Sequence, residues 1–261
     1  MFSREPRVIY ARNPLGDVIC QLRFPEILRI ETSLPDVFQE EIRREFPRYS
    51  VRRETSAPRL TSTPGVPPQL EKPAQTNNYQ FASEDGFWRV NLTSRFISLA
   101  CSRYTSWEAF ANMLDKPLAS FIRIYQPAYF ERVGLRYINF ISRRDLSLES
   151  YPFSQLVTPQ YLGILSEEDV VEQSVSRCTV DAELAIRGGC RVKIHAGPGK
   201  VTRAGVQDSE VKFIFDQDLF MPGHVPVNVS AGALQTLHAQ AYSIFRGAIT
   251  DVLHEAMEPN A

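Results

Sequence analysis

The chain has 261 residues, enough for one large domain or two lobes around a sizeable core. Hydrophobic residues make up 43% and charged residues 23%, the balance of a soluble globular protein, and the formal net charge of −1 gives no general pull toward nucleic acid. No apolar run approaches the ~20 residues that cross a bilayer, and the opening M-F-S-R-E-P-R-V-I-Y lacks an apolar signal core, so a cytoplasmic protein with no membrane partner is expected.

Asp17–Phe24 places Val18, Cys20, Leu22 and Phe24 on one face of a strand. Ser33-Leu-Pro-Asp36 reads as a helix start capped by Ser33, with Val37, Phe38, Ile42 and Phe46 at helical spacing. Tyr49–Arg53 reads as a short strand. Residues 54–78, with five prolines among Ser, Thr, Gln and Asn, read as a flexible Pro-rich loop that cannot bury enough surface to order itself.

Strands are expected at 79–82, 87–93 and 95–103, with Glu84-Asp85-Gly86 as the first turn. Thr105-Ser-Trp-Glu108 has the form of a capping box, and Trp107, Phe110, Leu114, Leu118, Phe121 and Tyr125 follow as one apolar stripe. Pro117 should kink that helix and Pro127 should end it. Then comes Tyr129–Ile141, Y-F-E-R-V-G-L-R-Y-I-N-F-I, a strand unusual in carrying Arg132, Arg136 and Asn139 among apolar neighbours. Asp145–Leu165 should mix loop and short helix. Strands are expected at 170–183, 190–196 and 211–215, the second ending at Gly197-Pro-Gly199. A final long helix should run from Ser230 to about Met257.

Hairpins outnumber strand–helix–strand units, which points to an α+β fold. One or two curved antiparallel sheets would pack on two long helices, in a helix-grip or duplicated sheet-and-helix arrangement. The lobes would be 1–145 and 146–261, together one unit.

Arg132 and Arg136 share a strand face with Gly134 between them, which would let a flat phosphate or carboxylate ligand approach. An internal ion pair with Asp216 or Asp218 is the favoured reading. Asp181 and Glu183, like Asp216 and Asp218, lie two apart on strands; if those strands pair, four carboxylates would converge on a divalent cation. Asp216 and Asp218 at a strand end entering a turn is the plainer alternative. Four cysteines, Cys20, Cys101, Cys178 and Cys190, form no C-x-x-C pair and read as reduced buried thiols. His238 and His254, sixteen apart on one expected helix, are ~24 Å apart and cannot share an ion. No catalytic residue is assigned and no cofactor is expected.

Three segments carry a family resemblance. Asn13-Pro14-Leu15 leading to Leu22-Arg23-Phe24, the stretch Arg132-Val-Gly-Leu-Arg-Tyr-Ile-Asn139, and Phe213-Ile-Phe-Asp216-Gln-Asp218 are together similar to the signatures of a sporadically distributed bacterial family of uncharacterised proteins of about this length. The resemblance implies a horizontally moving gene, often near defence or toxin–antitoxin loci. With no strong catalytic constellation, the expectation is a non-catalytic adaptor acting through a protein partner. The alternatives are a nucleic-acid binder using the N-terminal arginines, since residues 1–150 carry 21 Lys/Arg against 17 Asp/Glu, and a metal-dependent nuclease or phosphoesterase.

Overall fold

The computed structural model describes residues 2–55, 59–61, 69–71, 75–203 and 205–260. In chain order the elements are β1 (Ile9–Tyr10), β2 (Leu15–Arg23), α1 (Leu28–Thr32), α2 (Asp36–Ile42), β3 (Arg48–Thr55), β4 (Arg59–Thr61), β5 (Gln69–Glu71), β6 (Gln75–Ala82), β7 (Trp88–Leu92) and β8 (Phe96–Cys101). Then follow α3 (Trp107–Tyr125), β9 (Phe130–Ile141), β10 (Val180–Ala185), β11 (Arg191–Arg203), β12 (Val206–Val225), α4 (Ser230–Ala248), α5 (Asp251–Ala256) and β13 (Pro259–Asn260).

The fold is α+β. Nine strands form one antiparallel sheet in the order β10-β11-β12-β9-β2-β8-β7-β6-β3. It runs through both halves of the chain without a break, because β9 pairs with β12 on one side and β2 on the other.

Period-2 patterning gives the sheet two unlike faces. Val18, Cys20 and Leu22 of β2, Val133, Leu135 and Tyr137 of β9, and Phe213, Phe215 and Leu219 of β12 are all buried on one face. Helix α4 lies against β9 and β12 there, and α3 against β8. Phe121 of α3 meets Phe24 with ring centroids 4.7 Å apart, and Trp88 of β7 meets Phe110 at 5.8 Å.

Several elements differ from expectation for identifiable reasons. Ser33 closes α1 instead of opening a helix; α2 starts at Asp36, whose Oδ1 accepts from the Val37 N–H at 2.8 Å. The cap of α3 is Ser106, one residue later than the expected Thr105, with its hydroxyl accepting from Ala109 N–H at 3.2 Å. Pro117 is buried inside α3, which continues to Tyr125 and ends at Gln126 in the left-handed region. In place of one terminal helix there are two. Ile249 is extended and bridges Val157, and Thr250 caps α5.

Strand β10 begins only at Val180, while β11 runs through Gly197-Pro-Gly199 to Arg203, paired with β12 on the far side of those glycines. Asp216 and Asp218 are therefore mid-strand and do not enter a turn. Of the expected Pro-rich loop, residues 54–55 and 75–78 belong to β3 and β6, and 59–61 pair with 69–71. The rest of that segment lies outside the described residues.

Candidate functional site

Strand register explains how the polar residues gather. On the sheet face away from α4, Asp181 of β10 opposes His195 of β11, which opposes Asp216 of β12. One step along, Glu183 opposes Lys193, then Asp218, then Arg136 of β9. Strands β10 and β12 are thus not neighbours; β11 separates them and inserts a basic or imidazole side chain between each pair of acids.

Every one of these acids has a partner. Arg136 forms a two-pronged pair with Asp216, Nε to Oδ1 at 2.8 Å and Nη2 to Oδ2 at 2.5 Å. This contact raises the Arg136 pKa further. Arg132 Nη2 meets Asp218 Oδ1 at 2.5 Å, and its guanidinium lies over Phe220, 4.5 Å from the ring centroid. Glu183 takes Arg191 at 2.9 Å and Lys193 at 3.7 Å; Asp181 takes His195 Nδ1 at 2.7 Å. Among the described residues, no three His, Cys, Asp or Glu side chains are placed to hold a metal ion.

Gly134 does not leave the open platform that the ligand-binding alternative required. A Cβ there would overlap the Arg132 guanidinium, so the space over the glycine is filled by the protein's own arginine. Asn139 does not join Arg132 and Arg136. It sits at odd parity on the buried face, 2% exposed, where its Nδ2 donates to Phe215 O at 3.1 Å.

The buried face holds a second polar group, Tyr137, His238 and Gln217, none of which was expected to line a site. Tyr137 of β9 and His238 of α4 are linked at 2.6 Å between Oη and Nδ1. Burial pushes the Tyr137 hydroxyl well above its usual pKa. Burial first, then the nearby Arg7 charge, holds the His238 pKa down to about 4, so the imidazole is neutral at pH 7. Trp107 stacks on the imidazole with centroids 4.5 Å apart. Gln217 of β12 is 2% exposed, and among the described residues neither its Oε1 nor His238 Nε2 has a hydrogen-bond partner. The available signals were a histidine on the apolar stripe Leu234, Leu237, Ala241 and the glutamine between the two aspartates.

All four cysteines are free, and burial pushes the Cys20 thiol up to about 12, far from nucleophilic use. No helix among the described residues is long and apolar enough to cross a membrane. The stretches 15–23, 132–139 and 213–218 fall on β2, β9 and β12, three adjacent strands in the middle of the sheet. No family model, no curated protein and no solved structure matches the chain.

Proposed function

We propose that this chain is a non-catalytic, cytosolic binding module that takes up an extended, acidic segment of a protein partner along the edge strand β3. The observation that carries the reading is β3 itself. All eight of its residues are exposed, and among the described residues of the sheet it pairs on one side only, with β6. An edge with free N–H and C=O groups is a template for strand addition, in which backbone bonds give affinity and alternate side chains give specificity. Arg48 and Arg52 on one face, and Arg53 on the other, would meet carboxylates. Tyr49 at 45% and Val51 at 49% exposure would take apolar side chains. The finer architecture we infer, a curved sheet wrapped on α3 and α4 in a helix-grip-like way, keeps that edge clear of the helices. A mobile defence or toxin–antitoxin locus, the setting implied by the family resemblance, is where such a partner would be encoded nearby.

The ion-paired lattice supports this reading over the metal one, because each of Asp181, Glu183, Asp216 and Asp218 already has a basic or imidazole partner. Arg132 and Arg136 then serve to fix β9 against β12. The test is a pull-down of tagged protein from host lysate with and without nuclease, beside a variant carrying Arg48→Glu, Arg52→Glu and Arg53→Glu. These side chains are exposed, so the fold should survive. A stoichiometric protein that survives nuclease and is lost with the triple variant is expected. Partners lost on nuclease treatment would overturn the reading in favour of nucleic acid, whose binding would fall steeply with salt.

A further inference from the structure

We propose that the face of the sheet opposite the helices, over β2, β8 and β7, binds single-stranded nucleic acid, whose phosphates meet Arg23 and Arg89 and whose bases stack on Phe96 and Phe87.

Helices α2, α3 and α4 all pack on the other face: α4 on β9 and β12, α3 on β8, and Phe38 of α2 on Phe81 of β6 with ring centroids 5.5 Å apart. Period-2 alternation then sets what the free face carries. Register lines up Arg48, Ala82, Arg89, Ala100 and Ile19 in one row across β3, β6, β7, β8 and β2. Ser50, Gln80, Asn91, Ser98 and Gln21 form the next row.

Charge divides this face into unlike halves. On β9 and β11, Arg132, Arg136, Arg191 and Lys193 each hold a carboxylate. On β2, β3 and β7, Arg23, Arg48, Arg52 and Arg89 are exposed, and among the described residues none of them pairs with an acid. Arg23 uses its Nε on Gln21 Oε1 at 3.1 Å, which leaves the outer prongs of the guanidinium free. Cations gathered without counter-charges attract a polyanion, and the planar fork of arginine suits phosphate.

Aromatic rings at both ends of the platform select bases as well as phosphates. Phe96 lies directly across from Arg23. Phe87 is 36% exposed, with the Arg103 guanidinium 5.2 Å from its ring centroid, and Ser102 N–H donates to its carbonyl at 3.0 Å, continuing the ladder of β7 and β8. Phe96 and Ser102 are six apart on extended chain, so the two rings stand about 20 Å from each other. Between them Asn91 Nδ2 donates to Ser98 Oγ at 3.1 Å, and Asn91 Oδ1 faces outward with the Gln80 and Gln21 amides to meet base edges. Every base has a π-face, so rings and unpaired arginines on an open sheet suit a single strand of any sequence. A duplex keeps those faces stacked, and an acidic membrane has none.

The site lies beside the β3 edge and does not rest on the partner reading. A protein that survives nuclease in the pull-down and an oligonucleotide bound by the purified chain are separate results, and either can fail alone.

The experiment is fluorescence anisotropy of the purified full chain with a labelled deoxythymidine decamer and a uridine decamer over a range of salt. Salt-sensitive binding of at least one decamer is expected, and the pair tells DNA from RNA. Arg23→Gln with Arg89→Gln should lower affinity at least tenfold at low salt. It should also flatten the slope of log K against log salt by about 1.4, since each single-strand phosphate contact contributes about 0.7. Phe87→Leu with Phe96→Leu should lower affinity at least tenfold with the slope unchanged. If that pair fails to fold, Phe87→Leu alone reads the stacking as a fall of about fivefold. A duplex of the same length should bind the wild-type protein at least tenfold more weakly than the single strand, a comparison that needs no variant. No binding of either decamer, a duplex bound as tightly, or an affinity that either double variant leaves unchanged would overturn the proposal. Phosphatidylserine vesicles bound in place of the decamers would overturn it in favour of a membrane surface.

Discussion

The hydroxyl of Tyr137 and Nδ1 of His238 lie 2.6 Å apart, joining the middle of β9 to helix α4 across 101 residues of chain. His238 is 9% exposed, and Arg7 and Glu108 are the charged groups that act on it. The unfolded chain protonates His238 near pH 6.5, the folded one only near pH 4. Between those values the unfolded state binds more protons, so stability is full above about pH 6.5 and is lost as pH falls toward 4. The full loss from this group is of the order of 3 kcal/mol. Urea unfolding at pH 7 and pH 4.5 should show a smaller acid loss in His238→Gln than in the wild-type protein. Equal losses would mean that the imidazole is not the group responsible.

Gly134→Ala should destabilise the fold by about 1 kcal/mol, because the new Cβ overlaps the Arg132 guanidinium and displaces it from Asp218 and Phe220. The cost should shrink when Arg132 is already alanine. A double-mutant cycle measures that coupling, and strict additivity would contradict the contact.

The helix cap distinguishes two neighbouring residues. Ser106→Ala should cost about 1 kcal/mol through loss of its bond to Ala109 N–H, while Thr105→Ala should stay within ~0.5 kcal/mol. Thermal melts of the two variants separate these outcomes.

The acids of the charged lattice should behave unequally. Asp216, 12% exposed at its side chain and held by both prongs of Arg136, should cost about 1 kcal/mol as Asn, whereas Asp181, 70% exposed, should cost less than ~0.5 kcal/mol. Manganese titrated into the wild-type protein should give no stoichiometric binding by calorimetry. A one-to-one isotherm lost in Asp216→Asn would restore the metal reading.

Wherever one residue type and one period governed the outcome, the sequence was informative. The apolar stripe of α3 and the long β9 were both legible, because Trp107, Phe110, Leu114 and Phe121 share a helical face and β9 is dense in branched and aromatic residues. Strand ends were harder. Gly197-Pro-Gly199 resembles a turn, yet β12 lies alongside and supplies the pairing that carries β11 through it. The charged lattice was half legible. That Arg132, Arg136, Asp216 and Asp218 share faces follows from parity, but the insertion of β11 between the acids depends on strand order, which parity does not encode. The Tyr137–His238 contact depends on how α4 docks on the sheet, and only His238's place among apolar neighbours hinted at it.

Strand β2 lies at the centre of the sheet although it comes from the beginning of the chain. Its Cys20 faces Leu99 on one side and Leu135 on the other. During synthesis at ~5–20 residues per second, the second of these strands emerges after roughly another hundred residues, some 5–20 s later. For that interval a strand of alternating Val18, Cys20 and Leu22 has at least one bare edge, and both of its pairings join strands distant in sequence, which are slow to form. Exposed strand edges template aggregation, so the completion of β9 is the event that closes the last open edge of β2.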